Sequence, residues 1–270
     1  MIVYGFVTEE SVIALFQAGI GPGILLVVLF VVYSMVYARV SGHKGSVTKA
    51  TGSERKSRSL RALPSLGLAI LIISGIYSGA FTPTEAAAIG FAAAMLIGVV
   101  LLRTLTREGF KAAVYESMVT TVAILLIVAG AKVFGKAIAL YRIPQDISLF
   151  ISENINSPLG FILVVSVVLL LMGLVFEALS MVLIMTPVLL PGAIGLGFDP
   201  IWFGIYMVIL VECALITPPV GLNLYVIQSV AKAPLGDVSR GVLPFLILML
   251  VTITVLYLWK DLALYLPFKL

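Results

Sequence analysis

The sequence predicts an all-α integral membrane protein of about six transmembrane helices plus one re-entrant helical hairpin. Three observations carry this. First, 61% of the 270 residues are hydrophobic and 11% are charged; a soluble domain is about 45–50% apolar and about 25% charged. Mean hydropathy is +1.18. Second, Arg39, His43, Lys44, Lys49, Arg55, Lys56, Arg58 and Arg61 cluster in one loop, opposed only by Glu54. This is the signature of a cytoplasmic loop. Third, Thr217-Pro218-Pro219-Val220-Gly221 sits inside a stretch otherwise apolar enough to span a bilayer. Consecutive prolines remove two backbone donors and push the preceding residue out of the α region. Such a break survives in a membrane only where it is buried in protein or lines a cavity.

The elements follow in order. Residues 14–38 form the first apolar span, entered through Gly19 and Pro22, and the basic loop 39–62 follows. The second span is 63–81 and the third 84–102, ending at Arg103 and Arg107. Residues 104–116 mix Arg107, Lys111 and Glu116 with Leu105, Phe110 and Val114, predicting a short amphipathic surface helix. A fourth span covers 117–140, and 141–157 is an interfacial connector.

The block 158–197 is about twice as long as one membrane helix needs. It is interrupted at residues 173–180, too briefly and too apolarly for an ordinary exposed loop. It reads as a re-entrant hairpin with that stretch as its tip; the alternative is two full spans joined by a tight turn. The broken span 201–231 and a last span 241–259 complete the chain. With the basic clusters inside, the connector and residues 198–200 fall outside; Lys260 and Lys269 are the exceptions.

Composition also excludes. The +4 charge is concentrated at the membrane surface, so no nucleic-acid partner is implied. Cys213 is the only cysteine, so no intrachain disulfide forms. His43 lies in the basic loop, leaving zinc or haem no ligand set, and no cofactor is expected. The N-terminus lacks a signal-peptide pattern, so none is expected.

Candidate functional residues gather at the interruptions. Glu177 lies between apolar runs at the proposed tip, with Gly173 before it and Ser180 after. An intramembrane carboxylate is costly and is by default a functional candidate; the plain alternative is a polar loop facing water. In Thr217–Asn223 the break frees carbonyls on one side and amides on the other. Hard cations take oxygen ligands, so sodium is expected at the Thr217 hydroxyl and the backbone carbonyls near Gly221. Helix N-termini attract carboxylates, and Asn223 can both donate and accept. Pro218, Pro219 and Gly221 shape the break. Thr82-Pro83-Thr84-Glu85 has capping-box chemistry, and its structural role as a helix start outweighs a cation-binding one. Thr186, Pro187 and Pro191 read as a structural kink; Glu212 is either a coupling carboxylate or an interfacial residue.

A weak internal echo lays residues 1–29 on 223–251, pairing Gly19 with Gly241 and Pro22 with Pro244. Oppositely oriented copies are the inverted repeats of secondary transporters.

Three runs, GIYSGAFTPTEAAAIG (75–90), MGLVFEALSMVLIMTPVLLP (172–191) and ITPPVGLNLYVI (216–227), together resemble the large membrane subunit of TRAP (tripartite ATP-independent periplasmic) transporters. The resemblance covers essentially the whole chain. It implies an inverted-repeat ion-transporter architecture in the bacterial inner membrane. It also implies a small membrane subunit, a periplasmic substrate-binding protein, and sodium-driven import of organic acids such as C4-dicarboxylates or sialic acid. By motif, residues 173–180 resemble the C-terminal hairpin tip and 217–223 the unwound loop facing it; many members have Asp where this chain has Glu177.

The opening residues resemble the segment after the first repeat's own Pro-Pro break. The expected organisation is therefore 1–38 as the end of a first repeat, 39–62 as a cytoplasmic loop and 63–270 as a second repeat, with the first repeat largely missing. The chain is expected to be a non-enzymatic transporter subunit carrying half of the site. The alternatives are an intramembrane enzyme using Glu177 or Glu212, and an inactive remnant.

Overall fold

The computed structural model describes residues 1–41, 52–142, 146 and 157–269. The expected connector 141–157 and the first half of the basic loop fall largely outside them. The described chain is helical: α1 (Ile2–Thr8), α2 (Val12–Ala18), α3 (Ile20–Val40), α4 (Gly52–Tyr77), α5 (Pro83–Leu96, continued by a π-turn Ile97–Leu101), α6 (Arg107–Leu140), α7 (Pro158–Met172), α8 (Ala178–Gly195), α9 (Pro200–Leu215), α10 (Leu222–Ala231), α11 (Leu235–Leu258) and α12 (Asp261–Lys269). Among the described residues, five helical segments are long and apolar enough to cross a membrane.

Several helix starts follow one local recipe, a polar cap followed by proline. Thr82, Ser157 and Asp199 stand immediately before Pro83, Pro158 and Pro200. Ser157 Oγ accepts from the Gly160 N–H at 3.0 Å, and Asp199 Oδ1 accepts from the Ile201 and Trp202 N–H groups at 2.8 and 3.1 Å. Proline at the first helical position gives up a donor that had no intrahelical partner.

The chain divides into two compact units, one of Met1–Tyr33 with Leu126–Leu270, the other of Ser34–Leu125. In the first, α9 is the central element. Trp202, Phe203, Tyr206, Met207 and Leu210 are fully buried on it, and it packs against α2, α7, α8, α11 and α12. A helix apolar on all sides needs such enclosure. Its few polar atoms are satisfied. Tyr206 donates its single proton to the Ile162 carbonyl at 3.0 Å, so Ser166 is the donor in the 2.8 Å contact between the two hydroxyls. Trp202 Nε1 donates to the Leu256 carbonyl at 3.1 Å, and the Tyr4 hydroxyl to the Pro200 carbonyl at 2.7 Å. In the second unit, α4 packs against α5: Gly75 lies under the Phe81 ring and Gly90 against Ile72. Val99, Leu125 and many other large apolar side chains stay exposed, as lipid-facing residues do.

Four differences from the sequence reading stand out. The basic segment is helical from Gly52 onward, because residues 53–62 contain neither glycine nor proline. The amphipathic stretch 104–116 and the span 117–140 are one helix of 34 residues. A change in side-chain polarity near Glu116 costs no backbone hydrogen bond, so the helix runs through it. The first span is interrupted at Gly19, which caps α2. After the last span, α12 folds back onto α2: a Cβ on Gly21 would collide with the Leu262 carbonyl.

Candidate ion site at a hairpin tip and a broken helix

The block 158–197 resolves into α7 and α8 joined by residues 173–177. With 15 residues, α7 is about 22 Å long at 1.5 Å per residue, short of a hydrocarbon core of about 30 Å, whereas α8 is long and apolar enough to cross one. Helix α8 starts at Glu177, whose Oε1 accepts from the Ser180 N–H at 3.2 Å and from the Ser180 hydroxyl at 3.1 Å. Glu177 is therefore a helix cap as well as an exposed carboxylate. Gly173 is buried against α9: a Cβ there would fall 2.9 Å from the Ala214 carbonyl carbon. The turn thus rests on the last residues of α9 before its break.

The break follows from the two prolines. In an uninterrupted helix, the nitrogens of Pro218 and Pro219 would serve the carbonyls of Ala214 and Leu215, and neither carries a proton. The Ala214 carbonyl is rescued by the Thr217 N–H at 3.1 Å. The Leu215 carbonyl instead turns toward Gly221, where it is joined by that of Thr217. A Cβ on Gly221 would lie 2.8 Å from Leu215 O and 2.9 Å from Thr217 O. Gly221 also has φ +28°, so both its backbone angle and its surroundings call for glycine. The Thr217 hydroxyl donates to the Cys213 carbonyl at 2.8 Å, which leaves its lone pairs free to accept a cation. Asn223 is half-buried in the first turn of α10. Pro218 is half-buried and Pro219 exposed, and the peptide bond between them is cis.

The structure thus brings Gly173 onto Ala214 at the end of α9 and converges the Leu215 and Thr217 carbonyls at Gly221; Glu177 and Ser180 follow Gly173 by four and seven residues. Thr82 and Glu85 form a closed capping box: Glu85 Oε2 accepts from the Thr82 N–H and hydroxyl, both at 2.8 Å, while Thr82 Oγ1 accepts from the Glu85 N–H at 3.3 Å. Glu212 faces a cavity of about 220 Å³ that also meets Ala178 and Leu179, the first turn of α8. Thr186 is fully buried, and its hydroxyl has no hydrogen-bond partner. Sequence reasoning missed Lys132, whose ammonium lies 4.4 Å from the centre of the Phe6 ring. Its signal was present: a lysine inside the apolar run of α6.

These features define an all-helical, multi-pass membrane protein with an interrupted helix enclosed at its core. Residues 1–261 match the family described as "Tripartite ATP-independent periplasmic transporter, DctM component", and the chain belongs to that family. It is 38% identical over 267 residues to the C4-dicarboxylate TRAP transporter large permease protein of Pseudomonas aeruginosa, covering 99% of this chain and 62% of that protein. It is 36% identical over 270 residues to the sialic acid TRAP transporter large permease protein of Vibrio cholerae, with 99% and 62% covered. To the 2,3-diketo-L-gulonate large permease protein of Escherichia coli it is 33% identical, covering 99% of this chain and 63% of that one. The chain therefore spans somewhat under two thirds of the length of these relatives.

Proposed function

We propose that this chain is part of the large permease subunit of a sodium-coupled importer of organic acids in the bacterial inner membrane, and that it carries one half of the ion and substrate site. The observation that carries this reading is the convergence of the Leu215 and Thr217 carbonyls at Gly221, in the break that follows the contact of Gly173 with Ala214. A hard cation takes such oxygens, and the Thr217 hydroxyl adds another. The substrate is a carboxylate of the C4-dicarboxylate or sialic-acid class, delivered by a periplasmic binding protein. A small membrane subunit completes the assembly. Transport by this route involves no covalent chemistry and no cofactor beyond the coupling ion. The competing reading, an intramembrane enzyme using Glu177 or Glu212, is not favoured by a chain whose family and relatives are transporter permeases.

The test is uptake into proteoliposomes holding the permease, a small subunit and a binding protein of the family, driven by an inward sodium gradient. Labelled C4-dicarboxylates and sialic acid should accumulate chemically unchanged. Accumulation that ignores sodium contradicts the coupling. Recovery of an altered compound contradicts the transporter reading.

A further inference from the structure

Lys132 is exposed and lies two residues from the end of the apolar stretch of α6, where a charged side chain is a candidate functional position. Its ammonium lies over the Phe6 ring rather than extending along its own helix. Together with Val7, Ala131, Leu183 and Pro187 it lines a cavity of about 210 Å³. A second cavity, of about 260 Å³, shares Ala131 and Leu183 with the first and reaches Ser180. The two cavities run along α8 from Pro187 to Ser180. Seven residues of helix are about 10 Å, which is the stretch of α8 the two cavities cover. Gly130 and Ala131 leave room on the α6 side. Among the described lining residues of both cavities, Lys132 is the charged one. An ammonium has three donors, and a ring face engages it from one side.

We propose that Lys132 is an anion-binding residue of the permease, holding a carboxylate of the transported organic acid in this passage before it reaches the tip. This rests on the transport reading above. A cation lining an apolar passage would concentrate small carboxylates there.

The test reads the passage directly and needs no transport. In the Cys213→Ala chain, Ala131→Cys provides a thiol on the shared wall, in lipid nanodiscs. Its reaction rate is measured with an anionic sulfonatoethyl and a cationic trimethylammonioethyl methanethiosulfonate. With Lys132 present, the anionic reagent is expected to be favoured; Lys132→Gln should lower the anion-to-cation rate ratio about tenfold, and Lys132→Arg should preserve it. Succinate, at ionic strength matched with chloride, should slow the anionic reagent only when the cation is present. An unchanged ratio in Lys132→Gln overturns the proposal, as does a thiol that neither reagent reaches or an equal effect of chloride. Sodium-driven uptake that survives in Lys132→Gln with unchanged KM would reject this role and leave the transport reading standing. Loss of sodium coupling in the parent protein would reject the latter instead.

Discussion

The starts of α5 and α8 use the same chemistry and differ in what surrounds them. At the first, Thr82 and Glu85 close a reciprocal box that satisfies the local donors. At the second, the order is reversed: carboxylate Glu177 caps and hydroxyl Ser180 answers, through one carboxylate oxygen. The sequence pattern of a carboxylate and a hydroxyl three residues apart is common to both. The separating feature is tertiary. Gly173, one turn before the second start, is pressed onto Ala214 beside the broken end of α9. A cap that meets only its own helix is structural. A cap in a turn that rests on another helix just before its break is the candidate for ion binding.

Topology offers the all-or-none way to break this comparison. In a Cys213→Ala background, cysteines replacing Thr84, Leu159 and Gly195 should all react with an impermeant reagent from outside, and one replacing Val40 only from inside. Opposite-sided labelling at 159 and 195 would make α7 and α8 two full spans, and the tip would lose its place in the membrane.

Next in size are the glycines. Gly221→Ala drives a methyl group into two carbonyls at a backbone angle that L-residues avoid, and Gly173→Ala drives one into Ala214. Overpacking costs about 1–3 kcal/mol, and Gly221 adds backbone strain. Both variants should lower the melting temperature in detergent markedly. Gly67→Ala, which meets nothing within 4 Å in the middle of α4, should be neutral or slightly stabilising. Equal behaviour at all three positions would contradict the close packing of tip and break.

Smaller is the cap itself. Thr82→Ala should cost roughly 0.5–2 kcal/mol of stability and leave sodium dependence alone. A well-folded Glu85→Ala protein with grossly weakened sodium response would move that residue into the site and erase the distinction drawn here.

Much of this architecture was legible because membrane constraints act locally. Apolar runs marked the spans, Thr82-Pro83 marked a helix start, and Pro218-Pro219 predicted which carbonyls would lose their helical donors. The chain's membership of the TRAP permease family followed from the same motifs. The remainder depended on features that polarity does not report. Helix α6 continues through Glu116 because a change in side-chain polarity costs no backbone bond. Helix α12 is too short to announce itself as a span, and its position depends on Gly21. The contact of Gly173 with Ala214 joins positions 41 residues apart in sequence, and only packing reveals it. Lys132 was readable as a cation in an apolar run, but the ring and cavities around it were not.

The most direct measurement is a sodium titration of thermal stability on the purified chain in nanodiscs, with potassium holding ionic strength constant. Binding to the native state raises stability by mass action. A sodium-specific rise in melting temperature is expected. Its midpoint should shift about tenfold in Thr217→Ala, the equivalent of about 1.4 kcal/mol, and more weakly in Glu177→Gln. In Thr82→Ala the melting temperature should fall while the midpoint stays fixed. A sodium response that is absent, or that moves with Thr82 and not with Thr217, would contradict the central claim that the tip and the break of this chain form a cation site.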